Sequence, residues 1–160
     1  MAFKEQLREF FQPAEGRRVV LVGIGSPIRH DDAVGLWILE LLEGTVPETI
    51  QLLKAELVPE SYTGAIRDFS PSHVLLLDAA NFGGKPGEAR IIPPSMIANF
   101  TVSTHSLPLN IFIDYLRKSI CERVALLGIQ GVDITLGEGL TPEVARGAEL
   151  ISDAIRYLLM

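Results

Sequence analysis

Short apolar runs alternate with amphipathic segments along the chain, and this alternation constrains the fold more than any other feature. Strands that alternate with helices form a parallel or mostly parallel sheet that helices cover on both faces. β-branched and leucine-rich runs predict strands at 18–23, 49–54, 73–77, 89–92 and 123–128. Apolar residues at helical spacing predict helices at 3–11, 33–42, 60–69, 108–119 and 142–160, with one or two turns at 94–99. The sequence therefore predicts a single α/β domain.

Composition excludes several classes of protein. The 160 residues include 14 Lys and Arg against 20 Asp and Glu, so the net charge of −6 lacks the basic footprint of a nucleic-acid binder. The apolar runs are too short to cross a bilayer, and residues 1–13 are charged and amphipathic rather than signal-like. A single cysteine, Cys121, excludes an intramolecular disulfide and a thiolate cluster. We therefore expect a cytoplasmic protein with no membrane insertion, in which Cys121 packs.

Two acids and one histidine stand where an α/β sheet would bring them together. Asp32 follows the first predicted strand, Asp78 ends the third, and His105 precedes a predicted helix. Ligands of open α/β sheets collect at the carboxyl ends of the strands. Two carboxylates and an imidazole suit a divalent cation of intermediate softness and leave coordination positions open. The sequence therefore predicts a metal-binding site of Asp32, Asp78 and His105.

The neighbours of Asp32 have more than one interpretation. Asp31 and Asp32 both stand at the start of a predicted helix, where an acid can cap the first turn and interact favourably with the helix dipole. We expect one of them to cap the helix and the other to point into the cleft. His30 could join the site as an accessory residue or be exposed by its loop, whereas His73, at the start of a strand, is expected to be structural.

Two other kinds of site have weaker support. The loop between Gly23 and Gly35 resembles a phosphate cradle, but Ile28 stands where the dinucleotide fingerprint needs its third glycine. A flavodoxin-like nucleotide or phosphate binder is therefore the least favoured hypothesis. No serine or cysteine triad is evident, since the serines at 26, 61 and 106 lack the context of a nucleophile elbow.

Several segments together resemble the hydrogenase maturation peptidases. They are VGIGSPIRHDDAVG at 22–35, LLLDAA at 75–80, KPGEARII at 85–92, THSLPLN at 104–110 and LLGIQ at 126–130. No single segment is specific, but their combination in this order is, and the resemblance runs from about Val19 to the C-terminus. THSLPLN and LGIQ are most similar to the branch that serves formate-hydrogenlyase-type, energy-converting hydrogenases.

The resemblance implies a fold, an activity and a partner. The implied fold is a three-layer α/β/α sandwich around a twisted sheet of about five strands, a typical number for such sheets. The implied activity is that of a nickel-dependent, aspartic-type endopeptidase, which makes one cut near the C-terminus of the nickel-loaded precursor of a nickel–iron hydrogenase large subunit. The nickel would arrive with that precursor. The family's nickel-binding positions correspond to Asp32, Asp78 and His105.

Two departures from the family keep alternatives open. The family often carries a D-G-G-T-like stretch after its second strand, whereas this chain has KAELVPES at 54–61. Glu56 in that stretch remains a candidate cleft residue and, like Asp31, a candidate general base. The altered stretch also motivates a second hypothesis, a non-cleaving nickel or precursor chaperone on the same fold. The helix at 3–11 precedes the family's usual start and is either a packed extension or a docking or self-association surface.

Overall fold

A five-stranded sheet forms the centre of the computed structural model, which describes residues 2–102 and 107–160. The order across the sheet is β2-β1-β3-β5-β4; the last strand runs antiparallel to its neighbour and the others run parallel. The strands are β1 (Val19–Ile24), β2 (Ile50–Glu56), β3 (His73–Ala80), β4 (Ala89–Ile92) and β5 (Arg123–Gln130). This arrangement confirms the mostly parallel sheet that the alternating pattern predicts.

Helices cover both faces of the sheet. They are α1 (Ala2–Phe10), α2 (Val34–Leu42), α3 (Thr63–Phe69), α4 (Ile97–Phe100), α5 (Leu109–Ser119) and α6 (Pro142–Leu159). Buried apolar residues of α1, α2 and α6 form one cluster with the sheet, and those of α3, α4 and α5 form another. The fold is thus a three-layer α/β/α sandwich. Within the described ranges, no helix is both long and apolar enough to span a membrane.

The central strands extend further toward their carboxyl ends than local sequence pattern predicts. All residues of β1 and of β3 are buried, as expected for parallel strands covered on both faces. Ala79 and Ala80 continue β3 by pairing with Ile129 and Gln130 of β5. The expectation that Asp78 ends its strand is therefore wrong, because pairing with a distant strand extends β3 by two residues past it.

The N-terminal helix packs against the rest of the domain. Phe3 and Leu7 of α1 are buried in the cluster that includes α2 and α6. The Oε1 atom of Gln6 accepts a hydrogen bond of 2.9 Å from the backbone N–H of Ile91 in the edge strand β4. The guanidinium of Arg17 donates to the carbonyl oxygens of Phe11 and Leu158. These contacts support the interpretation of α1 as a packed extension, which also protects part of a sheet edge.

His73 is a structural histidine, as its position in the sequence predicts. It is fully buried, and its ring centroid lies 5.6 Å from that of Phe10 and 6.3 Å from that of Phe11. Its Nε2 lies 2.9 Å from the carbonyl oxygen of Gln12, and its Nδ1 lies 2.7 Å from Oγ of Ser72. Burial lowers the pKa of His73 below its ordinary value of 6.5, against the opposing effect of the Gln12 hydrogen bond.

This buried imidazole should make the protein sensitive to mild acid. Because the pKa of His73 is lower in the folded state than the unfolded value of 6.5, the unfolded state binds the proton more readily. Its contribution to stability is complete above pH 6.5 and is lost as the pH falls through that value. Denaturant titrations at pH 8 and pH 5 should show a smaller decline in unfolding free energy for His73→Gln than for the wild type.

A matched control is Gln12→Ala, which keeps the main-chain carbonyl that contacts the imidazole. The unfolding free energy of this variant should fall between pH 8 and pH 5 by as much as that of the wild type. The reason is that the exposed Gln12 side chain is not the acceptor of the hydrogen bond with His73. An equal decline for His73→Gln and the wild type would show that His73 does not cause the acid sensitivity.

Candidate active site

Asp32 lies in a tightly closed loop after β1. A 3-10 helix at His30–Ala33 precedes α2, and within it Asp32 is only 3% exposed. Its Oδ2 accepts a hydrogen bond of 2.8 Å from the backbone N–H of Ser26. Gly25 has a φ of +133°, and a Cβ at this position would lie 1.8 Å from the carbonyl oxygen of Asp32. Only glycine therefore allows the loop closure that orients Asp32.

Asp78 is fully buried within β3. Its Oδ1 accepts a hydrogen bond of 2.8 Å from the backbone N–H of Ala79. Side chains alternate between the faces of a strand, and Val74 and Leu76 belong to the apolar cluster that includes α5. Asp78 therefore lies on the face of β3 that α5 covers.

The sheet brings Asp32 and Asp78 to the same edge. β1 and β3 are parallel neighbours, with Gly23 opposite Leu77, so β1 ends level with Asp78. The 3-10 helix that carries Asp32 contacts β3. A Cβ on Gly35, at the start of α2, would lie 2.2 Å from the carbonyl oxygen of Leu77. The loop that carries Asp32 and the strand that carries Asp78 are therefore packed directly against each other.

His105 lies outside the described residues. On its N-terminal side, Thr101 forms an antiparallel bridge with Ala80, and the carbonyl oxygen of Phe100 accepts a hydrogen bond of 2.7 Å from the N–H of Asn81. On its C-terminal side, Leu107 packs against the cluster that includes α5. Residues 2–102 and 107–160 contain no group of three or more His, Cys, Asp or Glu that could hold a metal ion. The three-ligand site stays a prediction.

Asp31 holds a distant loop instead of capping a helix. It is fully buried, and its carboxylate accepts hydrogen bonds from the N–H groups of Val132, Asp133 and Thr141 at 2.9, 3.0 and 2.8 Å. The Thr141 hydroxyl lies 2.9 Å from the same carboxylate. The residue at the N-cap of α2 is Ala33, with no side-chain hydrogen bond. The expectation that Asp31 or Asp32 caps this helix is wrong, because a 3-10 helix intervenes and both carboxylates bind other backbone groups.

His30 contacts the same distant loop. Its Nδ1 lies 2.9 Å from the carbonyl oxygen of Gly139, and its backbone N–H donates to the carbonyl oxygen of Gly137 at 2.9 Å. A Cβ on Gly137 would lie 2.1 Å from Nε2 of His30, so the ring lies directly against this glycine. His30 is half-buried between its own loop and residues 137–139. Its accessory role in the active site stays a prediction.

Glu56 lines a cavity of about 260 Å³ beside the loop that carries Asp32. It ends β2 with a φ of +55° and is exposed. Trp37 and Glu138 also line the cavity, together with Lys54, whose ammonium lies 2.5 Å from a carboxylate oxygen of Glu43. That carboxylate raises the pKa of Lys54. The position of Glu56 supports its interpretation as a cleft residue.

Gln130, which the sequence motifs do not single out as a functional residue, lies at the same edge of the sheet. It ends β5 and is 7% exposed. Its Oε1 accepts hydrogen bonds from the N–H groups of Phe82 at 2.9 Å and Gly84 at 3.2 Å, and its Nε2 donates to the carbonyl oxygen of Gly131 at 3.0 Å. Gln130 thereby fixes the loop that follows β3 and Asp78. The available signal was a polar residue that ends an apolar strand at the ligand-binding edge of the sheet.

The structure disfavours a phosphate cradle in the loop after β1. The glycines of this segment allow close backbone packing: a Cβ on Gly23 would lie 2.9 Å from the carbonyl oxygen of Gly35. The N–H of Ser26, which a phosphate could have used, donates to the carboxylate of Asp32. An acid thus occupies the anion-binding position of the loop.

Cys121 has the surroundings of a packing residue. It is half-buried against the cluster that includes α5, and burial raises the pKa of its thiol. A raised pKa reduces the fraction of thiolate, which is the reactive form of cysteine.

Fold and site together define an α/β/α domain with two buried carboxylates, Asp32 and Asp78, at the carboxyl edge of its sheet. Residues 38–157, most of the chain, match the model of the HycI family, described as hydrogenase maturation protease. The chain belongs to the hydrogenase maturation protease family. The resemblance carried by the sequence motifs is thereby confirmed.

Individual relatives agree with this assignment. The hydrogenase 3 maturation protease of Escherichia coli K12 is 38% identical over 112 residues, which cover 69% of this chain and 71% of the relative. A putative hydrogenase maturation protease of Methanocaldococcus jannaschii is 34% identical over 122 residues, covering 71% and 72%. The crystal structure of a nickel–iron hydrogenase maturation protease, HycI, from Thermococcus kodakarensis KOD1 superposes with a TM-score of 0.84 at 34% identity, covering 96% of this chain and 98% of that one.

Proposed function

We propose that this protein is an endopeptidase that removes a C-terminal peptide from the nickel-loaded precursor of a nickel–iron hydrogenase large subunit, completing its maturation. The observation that carries the proposal is the burial of Asp32 and Asp78 at one sheet edge in a member of this family. Burying carboxylates is costly unless they are paired, hydrogen-bonded or bound to a metal. The carboxyl edge of an α/β sheet is also where ligands bind, so two buried carboxylates there are candidates for binding a substrate or its metal ion.

Nickel enters this proposal as part of the substrate. The precursor presents the ion, and Asp32, Asp78 and His105 complete its coordination. Two carboxylates and an imidazole suit such an ion and leave positions for the precursor's own ligands. A precursor without nickel would lack the bridge to these side chains and would not dock productively. Coordinated nickel can polarise a carbonyl group or activate water.

The protein's contribution would be to orient the two acids before the substrate arrives. The N–H of Ser26 fixes one oxygen of Asp32, and the N–H of Ala79 fixes one oxygen of Asp78. Main-chain donors in packed elements hold their acceptors more firmly than mobile side chains do. Of the two candidate general bases, Asp31 is fully engaged by the distant loop, whereas Glu56 is exposed at the cavity. Glu56 is therefore the better-placed candidate.

The expected setting of this reaction follows the composition of the chain. A net charge of −6 supports a protein partner in place of a nucleic acid. We infer that the protein acts in the cytoplasm on the precursor, without inserting into a membrane.

A non-cleaving chaperone for nickel or the precursor is the second candidate. It is favoured by residues 54–61, which lack the D-G-G-T-like stretch that the family often carries. In the structure Glu56 adopts a left-handed conformation that favours glycine, and Leu57 and Val58 are exposed. The turn thus keeps a glycine-like backbone but presents a carboxylate and apolar side chains in place of small ones.

Intact mass spectrometry of a large-subunit precursor separates the two candidates. The precursor is incubated with this protein in nickel-loaded and nickel-free form, and its mass is measured over time. We expect one defined C-terminal peptide to be lost from the nickel-loaded form alone. An unchanged mass in both forms, together with demonstrated binding, would replace the peptidase with the chaperone.

A further inference from the structure

Exposed apolar side chains cluster beside Asp32. We call the cluster the apolar rim; it consists of Ile28, Val132, Ile134 and Leu136, which are 54%, 60%, 38% and 68% exposed. The carbonyl oxygen of Ile28 accepts a hydrogen bond of 2.9 Å from Gly137, which places Ile28 beside the end of the loop segment that carries the other three. Single exposed apolar residues are ordinary, but a group on adjoining segments marks an interaction surface.

The segments that carry the apolar rim are held firmly without being helix or strand. Asp31 binds the loop at Val132, Asp133 and Thr141, and the carbonyl oxygen of Asp133 accepts a hydrogen bond of 2.8 Å from the N–H of Asp31. At the other end, Arg29 forms a parallel bridge with Gly137. A surface fixed in this way loses little conformational freedom on binding.

Charged residues lie at the margin of the apolar rim. Asp133 and Glu138 lie between β5 and α6 and add negative charge around the apolar rim. Hydrogen bonds from the hydroxyl and N–H of Thr135 lower the pKa of Asp133 below its ordinary value, so this carboxylate is ionised at neutral pH. Arg29, which follows Ile28 and forms the bridge with Gly137, is exposed and adds a positive charge to the same margin. Charges of both signs thus surround an apolar centre, and this arrangement favours a partner segment that is apolar.

The apolar rim adjoins the candidate active site, and this position favours the protein substrate over a second copy of the chain as its partner. Asp31, which holds the loop, directly precedes Asp32 in the same 3-10 helix. A second copy of this chain seated on the apolar rim would cover the edge at which a protein substrate must enter. A substrate seated there would instead bring its neighbouring bonds to Asp32.

We propose that the apolar rim docks an apolar segment of the precursor that flanks the scissile bond. Asp31 is the positioning residue that fixes the rim relative to Asp32. This inference rests on the proposed peptidase function and adds to it the surface that selects the substrate.

Steady-state processing of the nickel-loaded precursor tests the docking surface. Leu136→Ser and Ile28→Ser should each raise KM by about tenfold, the effect of about 1.4 kcal/mol of lost binding, while kcat stays within about twofold. The controls are Leu150→Ser and Tyr157→Ser on α6, which remove side chains that are 52% and 79% exposed away from this edge. Both controls should keep the wild-type KM.

Asp31→Asn tests the positioning role. The amide keeps the size of the side chain but loses the charge and one acceptor oxygen, so three N–H donors and a hydroxyl compete for the remaining one. Amide hydrogen exchange in residues 131–141 should become faster and KM should rise. The double variant Asp31→Asn with Leu136→Ser should raise KM by less than the two single variants predict when their effects on binding free energy are added, since both changes act on one surface.

The outcomes separate this proposal from the proposed function. Wild-type protein that cleaves the precursor while both rim variants keep its KM would overturn the docking surface and leave the peptidase intact. Wild-type protein that binds but does not cleave would overturn the peptidase, and this inference with it. Sedimentation that shows a wild-type dimer and rim-variant monomers, with KM unchanged, would assign the rim to self-association and overturn the proposal. Thermal unfolding shows which variants are folded. If only one of the two rim variants is folded, its KM alone tests the proposal.

Discussion

Asp78→Asn should abolish processing of the nickel-loaded precursor. The amide has the shape of the carboxylate, and its oxygen can still accept the hydrogen bond from the N–H of Ala79. What is lost is the negative charge and, under the proposed function, a strong ligand for the nickel of the precursor. Loss of partners behind a metal ligand already costs about 10–100-fold, so loss of a ligand itself should cost more. Asp32→Asn and His105→Ala should have similar effects, each measured as the rate of peptide release by mass spectrometry.

Asp153→Asn is the matched control for these changes. It makes the same chemical substitution on an exposed acid of α6, whose carboxylate pairs with Arg156 at 2.7 Å. A surface ion pair of this kind contributes little to stability, and the variant should process the precursor normally. Normal processing by Asp78→Asn or by His105→Ala would show that the site has been assigned to the wrong side chains.

Local pattern in the sequence predicts most of the fold because the elements have strong local signals. The bounds of β4, residues 89–92, agree in sequence and structure, since prolines follow at 93 and 94. The helix at Pro142–Leu159 begins where Thr141 and Pro142 predict. The order of the strands has no such local signal. It depends on which strand pairs with which across the chain, and that pairing also extends β3 beyond Asp78.

The sequence predicts that Asp32 and Asp78 lie at one edge of the sheet, but it does not predict which groups hold them there. Asp32 and Asp78 could be found because parallel strands place their carboxyl ends at one edge. The role of Asp31 could not, since its partners Val132 and Thr141 lie 101 and 110 positions along the chain. Local sequence pattern predicts a helix cap for such an acid. In the structure its carboxylate instead binds backbone N–H groups of a loop that is distant in the sequence. The role of Gln130 could not be predicted for the same reason, because its hydrogen-bond partners, Phe82 and Gly84, follow a different strand, β3.

The glycines of the first loop also needed the structure. Sequence pattern associates them with a phosphate cradle, whereas Gly23, Gly25 and Gly35 each allow a close contact between backbone segments. Gly25 admits the carbonyl oxygen of Asp32, and Gly35 admits that of Leu77, the residue before Asp78. The glycines thus allow the loop that carries Asp32 to pack against the strand that carries Asp78.

Gly35→Ala should therefore reduce both stability and processing. The new Cβ would lie 2.2 Å from the carbonyl oxygen and 2.9 Å from the carbonyl carbon of Leu77, so α2 must move away from β3. Overpacking of this kind costs about 1–3 kcal/mol, and backbone that cannot move aside places this site at the upper end of that range. Because the 3-10 helix of Asp32 leads directly into α2, the same displacement should move Asp32 relative to Asp78. Denaturant unfolding and the rate of precursor cleavage measure the two effects.

Gly64→Ala makes the same substitution where nothing opposes it. Gly64 is exposed in α3, and a Cβ there meets no heavy atom within 4 Å. Alanine in a helix is more favourable than glycine by about 0.5–1 kcal/mol, so this variant should be slightly more stable than the wild type and equally active. Opposite signs for the two changes would show that the close contact of α2 with β3, and not the loss of glycine as such, maintains the site. A Gly35→Ala protein with wild-type stability and cleavage rate would mean that α2 does not fix the position of Asp32.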